Sequence, residues 1–317
     1  MSLSKKLLVV AAVGCAVAGH CSVMYGMNAL KHMNAPTQKD WVYYCREGNA
    51  EGINRCIKAG FDVNAPIPHY SHLNGYTPLM LAAESCNVPG VQALLENGAH
   101  VNGTDEYDLT ALMMAAGSVA PEASHRMATV QLLLEKGANV NAADKAGSTA
   151  LMKAIEINDM DIVQVFLEKG ADIEAQHEPA PENADELTKM TNDGQTPFEG
   201  QTALMYAAQF GNPALVDTLI AKGAKLGATD RYGMTALMYA AKFPDSPDET
   251  KKCAIVKALL HAGADATAKN GSGETAADIA ARWGHIKTSN VIRFYKRGHK
   301  KPAPTEDVGL GTSRVLS

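Results

Sequence analysis

His69 and His72 stand three residues apart, a spacing at which two imidazoles can share one metal ion. No Cys, Asp or Glu flanks them, so a polar loop is the expected reading and no metal site is assigned. Gly284-His285-Ile286-Lys287-Thr288 has the Gly, Lys and Thr of a phosphate loop's end but lacks that loop's earlier glycine. Six cysteines (Cys15, Cys21, Cys45, Cys56, Cys86 and Cys253) show no CxxC pair, which argues against zinc. Cys45 and Cys56 are the nearest candidates for a disulfide, with two small buried side chains as the alternative. The chain also has no Gly-x-Ser-x-Gly elbow and no His-Glu-x-x-His run. These residues predict a protein that is not an enzyme and carries no cofactor. A catalytic site built from inserted loops, with 176–198 as its host, is the competing reading.

The residues that could position anything are organised by repetition. Gly200-Gln201-Thr202-Ala203-Leu204-Met205-Tyr206-Ala207-Ala208 returns as Gly233-Met234-Thr235-Ala236-Leu237-Met238-Tyr239-Ala240-Ala241, and Thr202 to Thr235 is 33 residues. A fixed period of that size marks a repeat array. Each unit has a Thr that opens a helix and a Gly that closes a second one. Thr77 to Gly98, Thr149 to Gly170 and Thr202 to Gly223 span 21 residues, and Gly98 to Thr110, Gly137 to Thr149, Gly223 to Thr235 and Gly263 to Thr275 span 12. A Thr hydroxyl, Thr202 included, is expected to accept an orphan N–H of the first turn. Leu and the Ala pair fall on one helical face. The closing Gly suits a left-handed C-cap. One such hairpin cannot bury both faces, and a stack can.

This pattern resembles the ankyrin repeat. Thr77-Pro78-Leu79-Met80-Leu81-Ala82-Ala83, Thr110-Ala111-Leu112-Met113-Met114-Ala115-Ala116, Thr149-Ala150-Leu151-Met152-Lys153-Ala154 and the two copies above match its helix opening, and Gly137-Ala138-Asn139-Val140-Asn141-Ala142 matches its exit. A degenerate first copy runs from Lys39 to Asn64, and a last one starts at Thr275. The resemblance implies an all-α solenoid of six to seven stacked helix-turn-helix units with extended connecting loops over residues 38–297. Met80, Met113, Met152, Met205 and Met238 occupy the family's His position, which predicts thioether packing in place of a polar tie. Family members bind partners at loop tips and just after the Ala pair. Carried over, the tip positions are Glu106, Tyr107, Lys145, Ala146, Arg231 and Tyr232. Those after the Ala pair are Glu84, Ser85, Gln209, Phe210, Lys242, Phe243, Arg282 and Trp283. Tyr107, Phe210, Arg231, Tyr232, Phe243 and Trp283 are the expected partner contacts, because aromatics and Arg anchor interfaces.

The period breaks in four places. Thr110 to Gly137 is 27 residues and Thr235 to Gly263 is 28, which predicts lengthened turns between helices near 117–127 and 243–252. Gly60 to Thr77 is 17 and Gly170 to Thr202 is 32, which places two more insertions, near 65–73 and 176–198, in exit loops. Residues 298–317 read as a disordered tail.

The 317 residues are 46% hydrophobic and 20% charged, with a formal net charge of −5. With both signs spread along the chain, no nucleic-acid partner is expected. The expected partner is an unidentified protein, bound by a monomer. Lys5-Lys6 precedes an uncharged stretch from Leu7 to Leu30, so residues 1–30 read as an export signal or anchor. Three endings are open. Ala12-Val13-Gly14-Cys15 resembles a bacterial lipoprotein box that would lipidate Cys15, Ala16-Val17-Ala18 suits ordinary cleavage, and the whole stretch could stay as one membrane helix. Each predicts an exported protein, periplasmic or membrane-anchored in a bacterium or else secreted, touching membrane only through this segment.

Overall fold

The computed structural model describes residues 35–67, 75–119, 123–177, 200–242 and 249–298. Residues 1–34, and with them Cys15, lie outside the described residues, as do His69, His72, Phe243 and the 299–317 stretch. Among the described residues, fourteen α-helices form seven consecutive pairs: α1 (Gln38–Glu47), α2 (Ala50–Lys58), α3 (Pro78–Glu84), α4 (Val88–Glu96), α5 (Ala111–Gly117), α6 (Ala123–Glu135), α7 (Ala150–Glu156), α8 (Met160–Glu168), α9 (Ala203–Phe210), α10 (Pro213–Ala221), α11 (Ala236–Lys242), α12 (Glu249–Ala262), α13 (Ala276–Arg282) and α14 (Ile286–Gly298). No helix among the described residues is long and apolar enough to cross a membrane.

The first helices of all seven pairs stack in one row and the second helices in another. Small residues make the first row tight: Ala82, Ala83, Ala115, Ala116, Ala154, Ala207, Ala208, Ala240, Ala241 and Ala280 are fully buried, as are the leucines two residues into these helices. The second row contributes larger side chains, such as Val91, Leu94, Val130, Leu133, Phe166, Leu215, Leu219 and Leu259. This row is thinnest between α8 and α10, on either side of residues 178–199.

Helix ends follow the repeated Thr and Gly. Thr37, Thr77, Thr110, Thr149 and Thr275 accept a first-turn N–H through the side chain. Thr235 does the same for Met238 at 3.4 Å. Thr202 corrects the expectation: its backbone is an extended N-cap, but its hydroxyl makes no cap bond. Met80, Met113, Met152, Met205 and Met238 fill the core at 0–2% exposure. One of them does more than pack, because the Thr77 N–H points at the Met80 sulfur 3.5 Å away, so a thioether supplies the acceptor at that cap. Gly60, Gly98, Gly137, Gly170, Gly223 and Gly263 all follow second helices with φ between +81° and +103°. That is the left-handed region where a side chain is strained. Cys45 and Cys56 are buried free thiols, and burial pushes Cys56 up to about 11.

Beyond each closing Gly, one side chain ties the exit loop to the following repeat. Asn64 accepts from the His100 N–H and donates to the Gly98 carbonyl. Asn102 repeats both bonds with Asn139 and Gly137, and Asn141 with Asp172 and Gly170. Each lies four residues past its Gly, and each satisfies the carbonyl of the next repeat's closing Gly, just past a helix end. The next rung is Glu174, which accepts from the Lys225 N–H at 2.8 Å.

Candidate interaction surface

The loop tips are built from one residue per repeat. Asp105, Asp144, Asp230 and Asn270 each lie five residues before a capping Thr. The Oδ1 of each accepts two backbone N–H groups, two and four residues ahead, at 2.7–3.0 Å. The backbone N–H of each also donates to the carbonyl four residues on, closing a tight hairpin. At the head of the tip sits a left-handed residue: Asp108, Gly147, Gly233 or Gly273. Neighbouring tips are joined by main-chain bonds, Lys145 N–H to Tyr107 C=O at 2.9 Å and Gly271 N–H to Tyr232 C=O at 2.7 Å.

In two repeats the same position is not Asp or Asn. Ile67 donates its N–H to the Tyr76 carbonyl, and His177 donates to the Gln201 carbonyl. The Gly200 N–H returns to the His177 carbonyl at 2.8 Å. The insertions that sequence spacing places in exit loops therefore sit within the hairpin tips, between closed bases. The other two insertions are partly helix. α6 and α12 have 13 and 14 residues where α4, α8 and α10 have 9.

At three anchors the residue four positions after the Thr makes a side-chain contact. Tyr239 Oη donates to Asp230 Oδ2 at 2.6 Å. Tyr206 Oη lies 2.6 Å from His177 Nε2, its ring stacked at 5.3 Å. Lys153 Nζ is 3.9 Å from Asp144 Oδ2. Met114 holds the corresponding position in the third repeat, and the Asp105 Oδ2 is buried with no hydrogen-bond partner. Burial is the main cause in each titration: it pushes the Tyr206 and Tyr239 phenols far above their ordinary range, lowers His177 and raises Asp105. Sequence reasoning missed these pairs and the Asn ladder. Their signal was the constant spacing from Thr, five residues before and four after.

The expected contacts occupy this frame as follows. Tyr107 is 43% exposed, Phe210 36% and Trp283 44%. Arg231 is exposed and lies over the Tyr232 ring, 5.4 Å from its centroid. Tyr232 is itself half-buried against the core. Phe210 ends α9 with its ring 5.8 Å from Tyr206, so His177, Tyr206 and Phe210 form a continuous aromatic series. Phe243 follows α11 and lies outside the described residues. Arg231, Tyr232 and the Phe210 series come from adjacent repeats, whereas Tyr107 and Trp283 sit on tips or turns further along the array. No group of three His, Cys, Asp or Glu able to hold a metal occurs among the described residues.

A family model described as ankyrin repeats, three copies, matches residues 41–122, 105–177 and 180–270. The ankyrin repeat protein nuc-2 of Neurospora crassa is 50% identical over 52 residues, which is 16% of this chain and 5% of that protein. The chain thus matches only a small part of its curated relative's length. Among solved structures, the human ASB11 ankyrin repeat domain superposes with a TM-score of 0.60 at 21% identity, covering 83% of this chain and 99% of that domain. The ankyrin repeat domain of Bcl-3, a member of the IkappaB family, gives 0.58 at 23% identity over 82% and 99%.

Proposed function

Because the chain belongs to the ankyrin-repeat family, we propose that it is a scaffold or inhibitor that binds one specific protein through its tips and the turns after its Ala pairs. The observation that carries this reading is the clamped presentation of aromatics. Two backbone N–H bonds to Asp105 and two to Asp230 fix the main chain of the tips that carry Tyr107 and Tyr232, so the backbone beneath those rings is set before any partner arrives. Pre-ordered anchors lose little entropy on binding. No catalytic step is assigned to the chain. From the Lys5-Lys6 start and the apolar run that follows, the scaffold is further proposed to act outside the cytoplasm, in a bacterial cell envelope.

A photo-crosslinking residue placed at Tyr107 or Phe210, with exposed Lys222 as control, tests the surface in the native cell. One discrete adduct at positions 107 and 210, missing at 222, is expected. The same adduct pattern at all three sites refutes the assignment. The mass of the mature amino terminus tests export: lipidated Cys15, a start at Gly19 or an intact membrane-bound chain each fit, and an intact chain in the cytosol refutes it.

A further inference from the structure

The formal charge of −5 hides a strong asymmetry. Residues 249–298, which hold α12, α13 and α14, carry nine Lys and Arg against four Asp and Glu, a net +5. Residues 35–242 carry fourteen against twenty-six, a net −12. One end of the solenoid is thus cationic and the rest anionic. α14 itself holds Lys287, Arg293, Lys296 and Arg297 and no acid.

The same end exposes apolar side chains. No further repeat covers α14 among the described residues, and its open face presents Phe294 at 76% and Ile286 at 58% exposure. Trp283, at 44%, lies three residues before Ile286 in the turn that leads into this helix. A terminal repeat normally turns a polar face outward. Beside Phe294 a shallow groove runs between α12 and α14, with Lys257 and His261 on one wall and Val291 and Tyr295 on the other. Lys287 and Arg293 make ion pairs with Glu249 and Asp278 at 3.9 and 3.7 Å, but their side chains are 81% and 54% exposed. Such pairs contribute little and leave the cations able to meet another anion.

We propose that this carboxyl-terminal face docks on an anionic lipid bilayer. Cations beside protruding aromatic and aliphatic side chains match an interface that is negative at its headgroups and apolar just beneath. An acidic protein would satisfy the charges but would need its own pocket for Phe294, and nucleic acid offers neither apolar layer nor pocket. The groove by Lys257 suits an acyl chain lying under its phosphate. The net −12 of the preceding repeats is repelled by the same surface, so the solenoid meets the membrane end-on. This contact does not rest on the protein-binding reading, although the two surfaces share Trp283, and it adds a membrane contact beyond the amino-terminal segment.

The chain carries its own reporter. Of its two tryptophans, Trp41 is buried at 2% exposure and Trp283 lies at the proposed face. Full-length protein is titrated with phosphatidylcholine vesicles with and without phosphatidylglycerol, and with brominated acyl chains as quenchers. Lys5, Lys6 and Lys31 flank the apolar stretch Leu7–Leu30 and also favour anionic lipid, so the response is read at Trp283 and against variants that leave that segment unchanged. A blue shift and quenching of Trp283 only with phosphatidylglycerol, weakening as salt rises, is expected. Arg293→Glu changes two charges and should lower the anionic-lipid response about 25-fold, at roughly fivefold per charge near the surface. Phe294→Ser, at an exposed position that the fold does not need, should lower it about tenfold. Identical Trp283 spectra with both lipids overturn the proposal. So does a shift caused by polyglutamate or duplex DNA but not by vesicles, or a Phe294→Ser protein that responds like the wild type.

Discussion

Tyr239→Phe isolates the pairing that shapes the sixth repeat's tip. The substitution removes one oxygen and leaves the buried ring in place. Asp230 Oδ2, which accepts that hydroxyl at 2.6 Å, then becomes a buried carboxylate oxygen without a partner, the condition already met at Asp105. A hydrogen bond to a charged acceptor contributes about 1.5–3 kcal/mol, and a neutral one about 0.5–1.5. Tyr206→Phe provides the comparison, because its hydroxyl pairs with the His177 ring, whose charged form burial disfavours, rather than with a carboxylate. Urea unfolding followed by circular dichroism should show the Tyr239 variant losing about 2 kcal/mol and the Tyr206 variant about 1. A repeat array need not unfold in one step, so a local measurement is added. Asp230 Oδ1 holds the Tyr232 and Met234 amides at 2.8 and 2.7 Å, and hydrogen exchange at those two amides should accelerate in Tyr239→Phe. A Tyr239→Phe protein with wild-type stability and unchanged exchange at Tyr232 would refute the claim that the phenol supports the anchor.

Two further outcomes follow from the same geometry. Asp105→Asn keeps the Oδ1 acceptor, as Asn270 does in its own repeat, and removes a charge that burial disfavours. Its raised pKa means that Asp105 adds stability below its unfolded value of 3.8 and loses it as pH rises through the folded value. The Asn variant should therefore gain about 1 kcal/mol at neutral pH, and the gain should vanish in acid; a pH series of urea midpoints checks both. Gly223→Val should destabilise by about 1–2 kcal/mol through backbone strain alone, since a Cβ there meets nothing within 4 Å at φ +90°. Gly223→Asn should recover most of the loss, and equal melting of Val and Gly forms would refute the cap.

What the sequence displayed well was everything set by periodic local physics. Thr at N-caps, Gly in the left-handed C-cap and the Ala pair on one face are readable because each acts within a few residues. Tyr206 and Tyr239 were visible as repeated letters but not as partners, since His177 and Asp230 reach them across a hairpin rather than along a helix. The Asn64, Asn102 and Asn141 ladder was hidden for a related reason: its bonds run to the next repeat, 29–37 residues away. Overall composition misled in one respect. A net charge of −5 suggested mixed signs everywhere, whereas the division into −12 and +5 appears only once the last helices are taken as one end of a stack.

The four breaks in period separate into two physical kinds, and the anchors show why. At 117–127 and 243–252 the extra residues lengthen the start of α6 and α12, and their side chains brace the next repeat. Arg126 pairs with Asp159 at 3.5 Å, and Lys252 Nζ lies 3.0 Å from His285 Nε2. Glu249 accepts the Lys287 and Thr288 N–H groups at the start of α14. The described ends of these insertions thus contribute to stacking. The other two lengthen tips, and they coincide with the two anchors that are not Asp or Asn. An Asp anchor works because a short tip brings N–H groups two and four residues ahead onto one oxygen. Without such a pair a carboxylate at the anchor would remain as buried charge. Ile67 removes the charge altogether. His177 instead finds Tyr206, and through it Phe210, so the longer tip at 178–199 springs from a base continuous with the exposed aromatic face. A partner held at Phe210 therefore lies beside that base, which makes crosslinks from position 210 the sharper test of the whole surface than those from Tyr107.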